Sequence, residues 1–290
     1  MRIVDKALWH IESRFSEEID LGEIAAFCGV STFHLCRAFR AATGLTVIRY
    51  LRDRRLTEAA RALMSGGTNV TSVAVEFGYG SLEAFTRAFH GRFGIPPSKV
   101  LDGQGLDRLE LLAPIRLPQV PTTLPALVGF EARPGLKLIG LPGRHRAGDS
   151  RRVPLQWHRF LSHLGTDDGR LGVPAYGLIA RQGQGLGQGL EGEAGSATYL
   201  CAIENTGLLD FPSDYQDIRI PAKRYAVFRH DGHASALYRS WDAIRAAQEE
   251  GTLPRLPTGP DTPIGIERYS RNYDHDAATG IVELWLPLND

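Results

Sequence analysis

Cysteine is scarce: the 290 residues contain three, Cys28, Cys36 and Cys201. That is too few, and too scattered, for a disulfide framework. Long apolar runs are missing as well. No stretch approaches the ~18 residues that a membrane-spanning helix needs, so no membrane partner is expected. The opening Met1–Lys6 carries an early acidic residue and no apolar signal core, which points away from secretion and towards the cytoplasm. Lysine is nearly absent, with 4 against 29 arginines, the bias of a GC-rich genome. Formal net charge is zero, so bulk charge alone does not establish a nucleic-acid partner. Neither a Gly-x-Ser-x-Gly element nor a paired-carboxylate arrangement suggests hydrolysis. What is present, 43% hydrophobic and 23% charged residues, is ordinary for a globular chain long enough for two domains.

Charge is unevenly placed. Residues 1–100 hold 13 Lys/Arg against 10 Asp/Glu, and Arg49, Arg52, Arg54, Arg55 and Arg61 crowd together. These arginines suggest a basic surface, with a merely solvated helix as the plainer explanation. Residues 3–100 have helical periodicity, broken at Gly44, Gly66-Gly67 and Gly94-Ile95-Pro96-Pro97. Gly103, Gly105, Pro114, Pro118, Pro121 and Pro125 then mark an extended connector. The expected organisation is a helical domain over 1–105, a linker over 106–124 and a second domain over 125–290. The fold class is α+β.

The helical domain repeats itself. Asp20-Leu21-Gly22-Glu23-Ile24-Ala25-Ala26-Phe27-Cys28-Gly29-Val30-Ser31 returns as Asn69-Val70-Thr71-Ser72-Val73-Ala74-Val75-Glu76-Phe77-Gly78-Tyr79-Gly80-Ser81. Arg37-Ala38-Phe39 likewise matches Arg87-Ala88-Phe89. Asp20 and Asn69 suit helix N-caps. Gly29 and Gly78 suit helix stops, and Ser31 and Ser81 cap the next helix. Helix, tight turn, helix is the unit that lays a second helix in the major groove. In the first copy Leu35, Ala38, Phe39 and Ala42 have core spacing, leaving Phe33, Cys36, Arg37 and Arg40 outward. In the second, Phe85, Ala88 and Phe89 point inward, leaving Leu82, Glu83, Thr86, Arg87 and His90 outward. Arginine is suited to paired hydrogen bonds with guanine, so Arg37 and Arg87 are the best base-reading candidates. Arg40 and His90 suit phosphates. Between the copies, Val47–Met64 forms a long amphipathic helix with Ile48, Leu51, Leu56, Ala59, Ala60 and Leu63 on its apolar side, a spacer for two reading heads.

These residues, with Tyr50-Leu51, Arg55-Leu56, Phe77-Gly78-Tyr79 and Phe93-Gly94-x-Pro96-Pro97, make residues 5–101 resemble the DNA-binding domain of AraC/XylS-type transcription regulators. The resemblance implies double-stranded DNA as partner; RNA polymerase is a further candidate partner, for the second half of the chain. It places Phe33, Cys36, Arg37, Leu82, Glu83, Ala84 and Arg87 at positions that usually face bases. Cys36, Leu82 and Ala84 depart from residues that are often polar in relatives, so the target sequence does not transfer.

Residues 125–290 read as two passes of strand, helix, strand, strand. Lys137–Leu141, Leu155–Leu164, Tyr176–Ala180 and Tyr199–Glu204 form the first; Tyr225–His230, Ala234–Glu249, Ile264–Tyr269 and Ile281–Leu286 form the second. The product is an antiparallel sheet with two helices on one face. Aligning the passes sets Gly177 beside Gly265 and Ile179 beside Glu267. A carboxylate where the fold accepts isoleucine is a functional candidate. Tyr269 shares its strand face, and Trp241, Tyr238 and Tyr225 are candidate aromatic walls.

With Arg133-Pro134, Lys137-Leu138-Ile139-Gly140, Tyr225-Ala226-Val227-Phe228, Asp231-Gly232, Trp241, Ile266-Glu267-x-Tyr269 and Leu286-Pro287-Leu288, this half resembles the gyrase-inhibitor-like effector-binding domain. The resemblance implies that Glu267 reaches into a groove for a cationic, aromatic small molecule. A regulator controlled by that molecule is the expected function. Two alternatives are hydrolysis of the ligand, with Glu267 as general base and Tyr225 or Tyr269 assisting, and a protein-interaction module. No cofactor or metal is expected. Gly187-Gln188-Gly189-Leu190-Glu191-Gly192 matches a dinucleotide fingerprint but no helix pattern follows, so it reads as a loop. His34, Cys36 and Cys28 make a poor zinc set, and His230–His233 and Asp274–Asp276 read as solvated turns.

Overall fold

The computed structural model describes residues 3–66, 68–115, 117, 123–146, 153–167, 169–181, 196–207, 209–254 and 263–289. The chain divides into two compact units, Met1–Pro118 and Gln119–Asp290. No helix among the described residues is long and apolar enough to cross a membrane.

The first unit runs α1 (Ile3–Arg14), α2 (Leu21–Cys28), α3 (Thr32–Thr43), α4 (Val47–Ser65), α5 (Val70–Glu76), α6 (Leu82–Phe93) and α7 (Pro97–Leu101). Cap chemistry sets these boundaries. The Asp20 and Asn69 side chains accept from the backbone of Glu23 and Ser72, each at 2.8 Å. Gly29 and Gly44 hold φ of 71° and 74° as they close α2 and α3, and Gly94 closes α6 at 73°, values that cost glycine little. In the second copy Phe77 is the capping residue of α5, and Gly78, at φ 72°, follows it. A Cβ on Gly78 would come within 2.9 Å of the Ser16 carbonyl oxygen, a second reason for glycine there. Ile24, Leu35, Phe39, Tyr50, Leu56, Phe85 and Phe89 are sealed in the core.

The spacer helix departs from its expected facing. Ile48 is exposed, and Val47 and Tyr50 are buried instead. Ala42, expected inward on α3, is exposed. The arginine cluster is also not one basic surface. Arg54 is fully buried, its guanidinium forked onto Glu12 by two bonds of 2.8 Å and onto Glu58 at 3.0 Å. Arg55 donates to the carbonyls of Phe15 and Glu17, tying α4 to the turn after α1. These two charges serve architecture, because a buried backbone carbonyl or carboxylate needs a donor.

The connector is more tightly held than its proline content suggests. After a short 3-10 turn at Leu106–Arg108, Leu112 N–H donates to the Thr57 hydroxyl at 3.1 Å and its carbonyl accepts from Arg54 at 2.7 Å. Ile115 N–H donates to the Tyr50 hydroxyl at 3.2 Å, and Arg92 reaches the Glu110 carbonyl. An extended segment has unpaired backbone groups, and side chains of α4 and α6 satisfy them.

The second unit carries β1 (Ala126–Arg133), β2 (Leu136–Arg146), α8 (Val153–Leu164), β3 (Ala175–Arg181), β4 (Ser196–Glu204), β5 (Gln216–Ile220), β6 (Lys223–His233), α9 (Leu237–Glu249), β7 (Gly265–Tyr269) and β8 (Thr279–Pro287). All strands pair antiparallel in the order β1-β6-β8-β7-β3-β4-β2-β5. The duplicated strand-helix-strand-strand plan is present, with β1 and β5 added at the edges. Both have weak sequence signals: β1 is largely exposed, and β5 is only five residues long.

Alternation gives the sheet two cores. On the inner face Leu138, Tyr176, Leu178, Leu200, Ile218, Ile220, Tyr225, Val227, Ile266 and Trp285 pack together. Only Pro221 and Ala222 join β5, at one end of the order, to β6, near the other, so the sheet curls on itself. The outer face meets Trp157 and Phe160 of α8 and Leu237 and Ile244 of α9 over Leu141, Cys201, Tyr199, Tyr269 and Leu284. Gly187–Gly192 lies outside the described residues.

Candidate functional site

The second helices of the two repeats, α3 and α6, present matched faces. From 31 to 40 and from 81 to 90, the order of exposed, half-buried and buried positions is the same except at His34 and Ala84. Phe33, Arg37 and Arg40 are exposed on α3, as are Leu82, Glu83, Arg87 and His90 on α6. Cys36 and Thr86 sit half-buried at the edge of each face. Phe33 is 70% exposed, and the Arg37 guanidinium carbon lies 5.6 Å from its ring centre. Leu35 with Phe39, and Phe85 with Phe89, anchor the opposite faces.

In the second unit one row crosses the outer face of the sheet. The ladders align Leu141, Cys201, Gly177, Glu267, Leu284 and Phe228 on β2, β4, β3, β7, β8 and β6. Glu267, near the middle, is only 5% exposed. Its Oε1 accepts from Trp241 Nε1 at 2.8 Å. Its Oε2 accepts from the hydroxyls of Tyr199 at 2.5 Å and Tyr269 at 2.8 Å. Tyr199 in turn accepts from Trp157 Nε1 at 3.0 Å. Rings of Trp157 and Tyr273 stand 4.8 and 4.9 Å from that of Tyr269, both edge-on. Among the described residues no arginine or lysine is paired with this carboxylate.

Burial pushes the Glu267 carboxyl above its ordinary range, and the three donors partly offset that by stabilising the ionised form. The same burial, followed by the Glu267 charge, raises the Tyr199 and Tyr269 hydroxyls and the Cys201 thiol well above their usual ranges. His275, beside Trp157, Tyr269 and Tyr273, is lowered to about 4 by burial. At neutral pH the cage therefore holds neutral phenols and a neutral imidazole around a carboxyl whose ionised form is costly.

Two glycines make the cage possible. A Cβ on Gly177 would overlap the Tyr199 hydroxyl and approach Glu267 Oε2 to 2.7 Å, and a Cβ on Gly265 would overlap the Trp241 ring. This gives the aligned glycines of the two passes a physical meaning. Gly177→Ala is expected to separate Tyr199 from Glu267, weaken ligand binding and cost about 1–3 kcal/mol of stability by overpacking. Thermal unfolding and ligand titration of the variant check both effects.

Tyr225 requires correction as a wall of this site. Strand alternation puts it on the inner face with Trp285, its ring centre 5.6 Å from that of the tryptophan, while Ala226 and Phe228 face the helices. Tyr238 is half-buried on α9 and its hydroxyl accepts from Arg239 Nε at 3.1 Å. Sequence reasoning missed Tyr199 and Trp157. Both fell within expected elements, and only the cross-strand register, with Gly177 as a gap, brings Tyr199 to Glu267.

Comparison with known proteins agrees with this division. A helix-turn-helix domain model matches residues 24–103, and the GyrI-like small molecule binding domain model matches 128–289. Transcriptional regulator Rob of Salmonella typhimurium is 29% identical over 57% of this chain and 58% of its own length; the chain thus spans little more than half of that relative. The HTH-type transcriptional activator AarP of Providencia stuartii is 33% identical over 39% of this chain and 84% of its own. A solved C-terminal domain of AraT, a response regulator from Geobacillus stearothermophilus, is 28% identical over 36% of this chain and 87% of that one, with a TM-score of 0.35. One model spans more than half of the residues and the other falls on the repeated helices, so the chain belongs to the family of the GyrI-like small molecule binding domain and carries a helix-turn-helix domain ahead of it.

Proposed function

We propose that this protein is a ligand-responsive transcription regulator that binds double-stranded DNA through α3 and α6 and a cationic, aromatic small molecule at Glu267. Phe33, Cys36, Arg37, Arg40, Leu82, Glu83, Thr86, Arg87 and His90 form the DNA faces. Trp241, Tyr199 and Tyr269 line the effector site, with Tyr238 one turn earlier on α9. The observation that carries the reading is Glu267, a buried carboxylate whose donors among the described residues are all aromatic side chains. Such a group lacks a counter-charge, and a delocalised cation supplies one together with cation–π contact. Coupling requires the ligand to favour one arrangement of the two units over another. Contact with RNA polymerase belongs to the same reading, as does action inside the cytoplasm.

Hydrolysis of the ligand with Glu267 as base has weaker support. Tyr225, one of its two assisting phenols, is on the other face of the sheet, and the relatives are named as transcription regulators.

The test is titration of the full chain with tetraphenylphosphonium, followed by tryptophan fluorescence. Glu267→Gln is expected to weaken binding by about tenfold or more, the effect of about 1.4 kcal/mol. Because the Glu267 carboxyl is raised, affinity is full above its folded value and falls as pH drops through it, since the cation selects the ionised form. Protonation of His275, lowered to about 4, adds repulsion at the acid end. Equal affinity in the glutamine variant, or a flat acid limb, contradicts the assignment. Product formation that stops in the same variant favours hydrolysis.

A further inference from the structure

Set at an offset of 50 residues, α3 and α6 differ most sharply in chemistry at one exposed position. Arg37 and Arg87 are shared, and the residues beneath them, Leu35 with Phe39 and Phe85 with Phe89, are all buried. One turn before the arginine stands Phe33 in the first head and Glu83 in the second. Neither residue packs into the core: Phe33 is 70% exposed, and Glu83 is exposed as well. Each adjoins its arginine. The Arg37 guanidinium carbon lies 5.6 Å from the Phe33 ring centre. Hydrogen bonds from backbone and Ser81, and then the Arg87 charge, hold the Glu83 carboxyl below the ordinary range. It is therefore an ionised, acceptor-only group at neutral pH.

We propose that the two heads read different short base contexts: Phe33 with Arg37 selects a thymine near a guanine, and Glu83 with Arg87 selects a cytosine near a guanine. The assignment rests on the reading that α3 and α6 occupy the major groove. There, an arginine forks onto guanine O6 and N7, an aromatic ring contacts the thymine methyl, and a carboxylate accepts from the cytosine amino group. Residues four apart on a helix are about 6 Å apart along its axis, on the order of two 3.4 Å base steps. Each pair thus falls on base pairs within about two steps of one another. A carboxylate beside the phosphates weakens binding to every sequence, and a base amino group returns a hydrogen bond to it. Of the two that the major groove presents, on cytosine and adenine, the cytosine amino group is the usual partner of a carboxylate, whereas adenine is usually taken by an amide side chain. The second head therefore discriminates by penalty as well as by attraction. One chain with two unlike heads needs an asymmetric site in which the guanine recurs and its neighbour changes.

The experiment is selection from a randomised duplex library with the full chain, repeated for Phe33→Glu, Glu83→Phe and Glu83→Ala. Circular dichroism confirms that these surface variants fold. The unmodified chain is expected to select T near G in one half-element and C near G in the other. Phe33→Glu is expected to turn the first T into C, and Glu83→Phe the second C into T. The change in preference at the affected base is about 5- to 150-fold, the equivalent of 1–3 kcal/mol. Glu83→Ala is expected to relax the cytosine and leave the guanine selected. Unchanged base preferences in both exchange variants overturn the proposal. So does loss of the guanine in Glu83→Ala, which assigns Glu83 only to orienting Arg87. Failure of the unmodified chain to select any sequence brings down the groove reading itself, and the base assignment with it.

Discussion

Replacing Arg54 by alanine is expected to bring the helical unit close to unfolding. Arg54 has no solvent exposure, and Glu12 and Glu58 beside it are 5% and 4% exposed. Burial alone would lower the guanidinium pKa, but the Glu12 charge and hydrogen bonds, followed by Glu58, raise it overall, so the guanidinium stays charged. Removing the arginine leaves two buried carboxylates without it and frees the Leu112 carbonyl, which it holds at 2.7 Å. Breaking a buried pair in this way costs about 3–5 kcal/mol, against a total of about 5–15 kcal/mol for a typical domain. Urea unfolding followed at the helical circular dichroism band measures the loss. Tyr50→Phe is the graded control. Its hydroxyl links Glu12 Oε1, at 2.6 Å, to the Ile115 N–H, and its removal is expected to cost about 1 kcal/mol. A change below about 1 kcal/mol for Arg54→Ala would show that water replaces the guanidinium, contrary to its burial.

The double variant Arg37→Ala/Arg87→Ala is expected to lose sequence-selective DNA binding while keeping its fold. Both side chains are exposed, and the residues that anchor their helices are elsewhere, at Leu35, Phe39, Phe85 and Phe89. Each bidentate contact with guanine is worth about 1–3 kcal/mol of discrimination. The sites sit on separate helices, so the two losses are expected to add. Fluorescence anisotropy on a selected duplex and on a scrambled one separates the contributions. Selective affinity is expected to fall by about 2–6 kcal/mol, with a smaller loss on the scrambled duplex. Equal losses on both would assign the arginines to phosphates instead.

The helical repeat was legible because each of its positions has a local cause. A capping side chain, a glycine at positive φ and a three-four apolar spacing all act within one turn, so Asp20, Gly29, Ser31 and Phe39 announce their roles singly. Arg54 does not: an arginine in a run of arginines looks solvated until Glu12, 42 residues earlier, is known to face it. The same limit appears in the sheet. Period-two alternation put Glu267 and Tyr269 on one face, but Tyr199 joins them through a register spanning 68 residues, which no local pattern encodes. Tyr225 was misplaced for a related reason. Aromatics occupy both faces of this sheet, and in β6 only the ladder decides which face an odd-numbered residue takes. The edge strands β1 and β5 carried little apolar alternation because one has few buried neighbours and the other is short.

Footprinting tests most directly whether one chain places two helices on one duplex. A duplex selected by the full chain would be probed base by base, with the protein below the concentration at which it self-associates. Protection of two major-groove segments about one helical turn apart, roughly 34 Å, with Arg37→Ala opening one segment and Arg87→Ala the other, is the predicted result. A single protected segment that both variants open alike, or two that require two chains, contradicts it.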